Sequence, residues 1–195
     1  VFFIEVVRHP LYMLIQQTLN MERLLNNPRD IGIYFKYKNT QLPYFAYQFE
    51  DLFESSNAVE QSIYTLEKAT VLSETFKDKY FKRYGKHILT IPFESFVLDP
   101  WPFMNKIELA LGSNVNHLTK KIMKKQKVPR KKISDGIPLP IYKRCGWEPP
   151  QKTLNERQEL EIRRQFAIEN GASEKAMNIL DLLSAEYEKK YFTIR

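Results

Sequence analysis

The chain has one cysteine, Cys145, six glycines and no long apolar run. A lone cysteine excludes an intrachain disulfide and a cysteine-rich metal site. No His/Cys/Asp pair has ligand spacing on a common element either, so no metal is expected. With so few glycines, nothing reads as Gly-x-x-x-x-Gly-Lys, and a fibrous or low-complexity class is excluded. The apolar start, Val1 to Val7, is too short to span a bilayer and ends at Arg8. It also lacks the basic flank and cleavage site of a signal peptide. No other stretch reaches membrane-spanning length. Opening on Val1-Phe2-Phe3-Ile4, the chain starts as though inside a strand, and a fragment of a longer domain is expected.

What is present suits one globular domain. The 195 residues are 43% hydrophobic and 13% aromatic, enough to fill a core and too short for two ordinary domains. The formal charge is +7, which points to an anionic partner without naming it. The excess is concentrated in Lys120, Lys121, Lys124, Lys125, Lys127, Arg130, Lys131 and Lys132, a run that contains no acid. Nucleic acid, anionic lipid, a sulfated or uronic glycan, or a nucleotide phosphate would all suit it.

Periodicity orders the elements. Val1–Val7 reads as a strand buried on both faces. Arg8-His9-Pro10 ends it, and Leu11, Leu14, Ile15, Thr18, Leu19 and Leu25 follow at helical spacing. Arg8 thus falls at the carboxyl end of a strand, where open α/β sheets bind ligands. Residues 31–49 read as an inserted β-hairpin or a long ordered loop, turning at Asn39-Thr40 between Ile33–Tyr37 and Tyr44–Tyr47. A long helix is expected over 57–84, then a strand over 87–93. Asp99-Pro100 then opens a helix, with Asp99 as its cap and Trp101 and Phe103 as core anchors, and Gly112 closes it. Alternation of strand and helix implies parallel pairing. A basic amphipathic helix is expected over 114–127, a proline-rich loop over 129–150 and two helices over 154–167 and 172–191.

Three segments carry chemistry. Phe3-Ile4-Glu5-Val6-Val7-Arg8-His9-Pro10 ends a strand in an arginine whose paired donors match phosphate oxygens, beside a helix N-terminus. Ile88 to Pro100, with Phe93-Glu94 and Asp99-Pro100, is followed by a helix ending Leu111-Gly112. Pro129-Arg130-Lys131-Lys132-Ile133-Ser134-Asp135-Gly136 precedes Gly146-Trp147 and Thr153-Leu154-Asn155-Glu156. In this order they resemble the sulfotransferase family: its strand–Arg-x-Pro–helix, its strand and Glu…Asp-Pro turn, and its basic nucleotide loop. The chain departs from the family pattern at Gln16, where a serine hydroxyl is usual, and at Lys132, which replaces a glycine. Ser95 stands where an Asp is common.

The resemblance implies an α/β, P-loop-NTPase-like parallel sheet flanked by helices, with residues 1–195 forming the C-terminal portion of one domain and 129–150 its nucleotide-side loop. It implies a donor, 3′-phosphoadenosine 5′-phosphosulfate, held at its 3′-phosphate by Arg8, Gln16, Arg130, Lys131 and Lys132. The family's 5′-phosphosulfate loop and catalytic base lie upstream of the strand bearing Arg8, so the catalytic residues are expected before Val1. The acceptor would be a hydroxyl or amine on a carbohydrate, lipid or small molecule. A cytoplasmic setting is favoured, with the Golgi lumen open if an anchor precedes the chain. Glu94 is expected to bond loop amides rather than to react. The alternative is a non-catalytic module, sulfotransferase-like or simply basic, that binds anionic polymers, a glycan or nucleic acid, with nucleic acid disfavoured because no RNA-binding aromatic motif accompanies the lysines.

Overall fold

A computed structural model describes residues 2–24, 33–84, 87–135 and 155–191. They form an α/β arrangement that is mostly helical, with one small parallel sheet. Strand β1 (Phe3–Val7) pairs in parallel with β4 (Ile88–Pro92), Phe3 opposite Ile88 and Val7 opposite Pro92. Parallel pairing needs a long crossover, and helices α1 (Pro10–Leu24), α2 (Glu50–Ser55) and α3 (Ala58–Tyr84) lie within it. After β4 come α4 (Phe93–Leu98), α5 (Trp101–Leu111), α6 (His117–Lys125), α7 (Glu156–Glu169) and α8 (Glu174–Tyr191).

The main core forms where α1 packs on α3, α7 and α8. Leu11, Leu14, Ile63, Leu160 and Leu180 are buried there. Helix α1 starts at Pro10, whose fixed φ and missing N–H suit the first turn. Asn57 caps α3 through its Oδ1, which accepts the Glu60 N–H at 3.0 Å. Asn155 and Gln158 form a reciprocal capping box on α7.

Several expectations are corrected. β1 is not buried on both faces: Ile4 and Val6, on the face opposite Glu5 and α3, are exposed, as is Phe3 at the strand's start, and β4 is the only neighbouring strand among the described residues. β4 stops at Pro92, which has no N–H to extend a ladder, and the stretch from Phe93 winds into α4 instead of a turn. The hairpin exists but turns one residue earlier. Lys38 takes the left-handed conformation (φ 50°) that a two-residue turn demands. β2 (Tyr34–Tyr37) therefore pairs with β3 (Thr40–Pro43), and Tyr44–Ala46 is a 3₁₀ turn.

Phe35, Tyr37, Phe45 and Phe49 pack on a second core of Met21, Leu42, Ala46 and Phe53. Pro100, not Asp99, caps α5, without a side-chain bond, and Trp101 is an exposed residue rather than a core anchor. α6 begins at His117, because Asn116 caps it by accepting the Thr119 N–H. The expected loop beyond Asp135, with Gly146-Trp147 and Thr153-Leu154, lies outside the described residues.

Candidate functional site

The parallel register places the ends of β1 and β4 side by side, so the next residues, Arg8 and Phe93, meet. The Arg8 guanidinium lies over the Phe93 ring, 4.9 Å from its centroid. Arg130 approaches the same ring at 5.6 Å, although 122 residues separate it from Arg8. Its loop is docked on α4 by a backbone bond, Arg130 N–H to the Val97 carbonyl at 2.7 Å. Its guanidinium also donates to the Ile133 carbonyl at 2.9 Å. Two cations therefore share one aromatic ring, each gaining a cation–π contact.

Electrostatics sets the two arginines apart. Arg8 is 31% exposed and its Nε stands 3.6 Å from a Glu94 oxygen. Burial, and then the nearby charge of Arg8, lower the Arg130 pKa, with Asp135 partly opposing them. Arg130 Nε is buried with no hydrogen-bond partner among the described residues. A desolvated donor facing a like charge favours an incoming anion, which would satisfy the donor and neutralise the repulsion.

Beneath the arginines lies a buried clamp. The Glu94 carboxylate is fully buried and accepts the His9 backbone N–H at 3.3 Å to each oxygen. It also accepts the Tyr187 hydroxyl at 2.5 Å. This is the strand-end carboxylate bonding a loop amide that the sequence suggests. His9 is itself fully buried. Its Nδ1 accepts the Leu11 N–H at 3.2 Å, which assigns the proton to Nε2, 3.1 Å from Glu188. Burial lowers the His9 pKa more than Glu188 and Glu94 raise it. The imidazole is thus neutral, committed at both nitrogens, and holds the entry of α1 against α8. Burial and Glu94 push the Tyr187 hydroxyl far up, so it stays a donor.

The remaining expected residues are less convergent. Lys131 is exposed, and Lys132 is half-buried with its backbone N–H donating to Asp135 at 3.0 Å. Gln16 is half-buried in α1, roughly 9 Å along the axis from Pro10 at 1.5 Å per residue. Its side chain makes no hydrogen bond among the described residues, and no described contact joins it to Arg8 or Arg130. Sequence reasoning did not single out Phe93, Tyr187 or Glu188. Phe93 could have been found from the strand register alone, but Tyr187 and Glu188 carry no local signal.

A cavity of about 230 Å³ adjoins Arg8 between β1, α1, α3 and α8, lined by Val7, Pro10, Leu66, Lys77 and Tyr187 among others. Ligand pockets for whole cofactors run from roughly 300 Å³ upward, so this one has room for a small group only. Arg130 does not line it. Deeper in β1, Glu5 accepts Ser73 (2.6 Å), Thr90 (2.8 Å) and Lys77 (2.9 Å). Among the described residues, no group of three or more His, Cys, Asp or Glu side chains could hold a metal. No family model, curated protein or solved structure matches the chain.

Proposed function

We propose that this chain supplies the 3′-phosphate-binding half of a sulfotransferase domain with a P-loop-NTPase-like sheet. The observation that carries the reading is the meeting of Arg8 and Arg130 at Phe93, beside the first turn of α1. Guanidinium groups suit phosphate because their donors are planar and paired. The amides at the start of α1 are already engaged, Leu11 N–H by His9 Nδ1 and Tyr12 N–H by the His9 carbonyl, so the attraction rests on the two guanidinium groups.

In the reaction, an acceptor hydroxyl or amine attacks the sulfur of 3′-phosphoadenosine 5′-phosphosulfate in line. The sulfur–oxygen bridge to the 5′-phosphate breaks, the electron pair leaves with that phosphate, and the acceptor's proton passes to a general base. Arg8 and Arg130 would anchor the nucleotide at its other end, with Lys131 and Lys132 adding positive potential and Gln16 an amide donor. Their task is orientation. The base and the 5′-phosphosulfate contacts belong to residues outside this set.

The test compares thermal stabilisation by adenosine 3′,5′-bisphosphate and by adenosine 5′-phosphate. Stabilisation by the bisphosphate alone, weakened roughly 10- to 100-fold in affinity by Arg8→Ala or Arg130→Ala, is expected. Equal response to both nucleotides would overturn the assignment.

A further inference from the structure

The strongest charge on the molecule lies away from Phe93, on α6. Lys120, Lys121, Lys124, Lys125 and Lys127 are all exposed, and none has an ion-pair partner among the described residues. No acid occurs between Glu108 and Asp135. Such a run by itself would suit any polyanion.

The apolar residues beside it narrow the choice. Met123 is the buried anchor of α6. At 100° per residue, Ile122 and Leu118 form the next stripe around the helix, one turn apart, with Lys121 and Lys125 along its side away from Met123. Ile122 is 60% exposed and Leu118 54%. Just upstream, at the end of α5, Leu109 is 86% exposed and Leu111 is also exposed. On the other flank of Met123, a groove of about 500 Å³ is lined by Trp101, Lys120, Lys124, Lys127 and Pro129.

A hydrated polyanion such as RNA or a glycan would neutralise the lysines but leave the aliphatic stripe in water. A bilayer surface with acidic headgroups matches both halves of the pattern, since apolar side chains enter the acyl boundary while lysines meet phosphates. From this charge and apolar complementarity we propose that α6, with the end of α5, docks the protein on membranes rich in acidic phospholipid.

Sedimentation with vesicles tests it, using phosphatidylcholine alone and phosphatidylcholine mixed with phosphatidylserine. Binding to the mixed vesicles only, weakening as salt rises, is expected. Leu118→Ser with Ile122→Ser, which keeps every charge, should weaken binding about tenfold or more. Lys121→Gln with Lys125→Gln should weaken it about fivefold per lysine. All four positions are exposed, so circular dichroism and thermal stability should match the parent protein. Vesicle binding that ignores the serine substitutions, or heparin or RNA binding with no vesicle binding, would overturn the proposal.

Discussion

The Glu94 carboxylate sits squarely under the His9 backbone amide, 3.3 Å from the nitrogen through each of its oxygens, across 85 residues of sequence. It couples the end of β1 to the start of α4, and Tyr187 extends the tie to α8. Glu94→Ala would bury the amide and the hydroxyl unpaired and would remove the carboxylate 3.6 Å from Arg8 Nε. We expect a loss of about 2–4 kcal/mol in chemical denaturation. Tyr187→Phe removes one charge-assisted bond and should cost about 1–2 kcal/mol. If Glu94→Ala unfolds at the parent's midpoint, the clamp does not hold the strand ends together.

The fold was partly legible for identifiable reasons. Strand, arginine, proline and helix are local signals, so β1, α1, α3 and the parallel pairing follow from spacing. The position of Arg130 beside Arg8 depends on a loop docked by one backbone bond to Val97, which no periodicity encodes. His9 carries no local signal of its role, because its partner Glu188 lies 179 residues away. Phe93, expected as the last strand residue, instead opens α4, while the β1–β4 register still sets it beside Arg8. The exposed faces of Ile4 and Val6 also run against the pattern, since apolar alternation reports what a strand can bury and not what covers it.

Acid should unlock the structure in two steps. His9 has its pKa depressed by burial, so the unfolded chain, near the ordinary value of 6.5, takes up a proton before the native one does. Its contribution is present above that value and is lost as pH falls toward the folded one. Glu5 is held below the ordinary carboxylate value of 4.5: burial alone would raise it, but Ser73, Lys77 and Thr90 outweigh that. Its contribution survives to lower pH and then disappears. Stability should therefore begin to fall as pH drops through about 6.5, and His9→Gln should flatten that segment of the curve. An unchanged slope in His9→Gln would show that the imidazole does not govern it.

Asn57 does two things at once. Its Oδ1 caps α3, and its Nδ2 donates to the Gly171 carbonyl at 2.8 Å, fastening α3 to the turn between α7 and α8. Gly171 needs its left-handed φ of 79°, and an added Cβ would meet Asn57 Nδ2 at 3.4 Å. Asn57→Ala should cost about 1–2 kcal/mol, and Asn57→Ser less, because the serine hydroxyl keeps the cap and loses only the reach to Gly171. Equal costs for the two would show that the bond to Gly171 contributes almost all of the effect.

Arg8 and Arg130 should behave differently in the free protein and alike toward anions. Arg8 stands near the buried Glu94, so Arg8→Gln removes a compensating charge and should cost about 1–2 kcal/mol. Arg130 is disfavoured by burial and by Arg8, so Arg130→Gln should leave stability within about 1 kcal/mol of the parent. A divalent oxyanion that bridges the two guanidinium groups would stabilise the parent by mass action. Sulfate should therefore raise the melting temperature above that in chloride at matched ionic strength, and either substitution should abolish the difference. The double variant should show coupling, since removing one cation relieves the repulsion felt by the other. Additive effects on stability, with sulfate protection intact in Arg130→Gln, would mean the two guanidinium groups near Phe93 do not form one anion site.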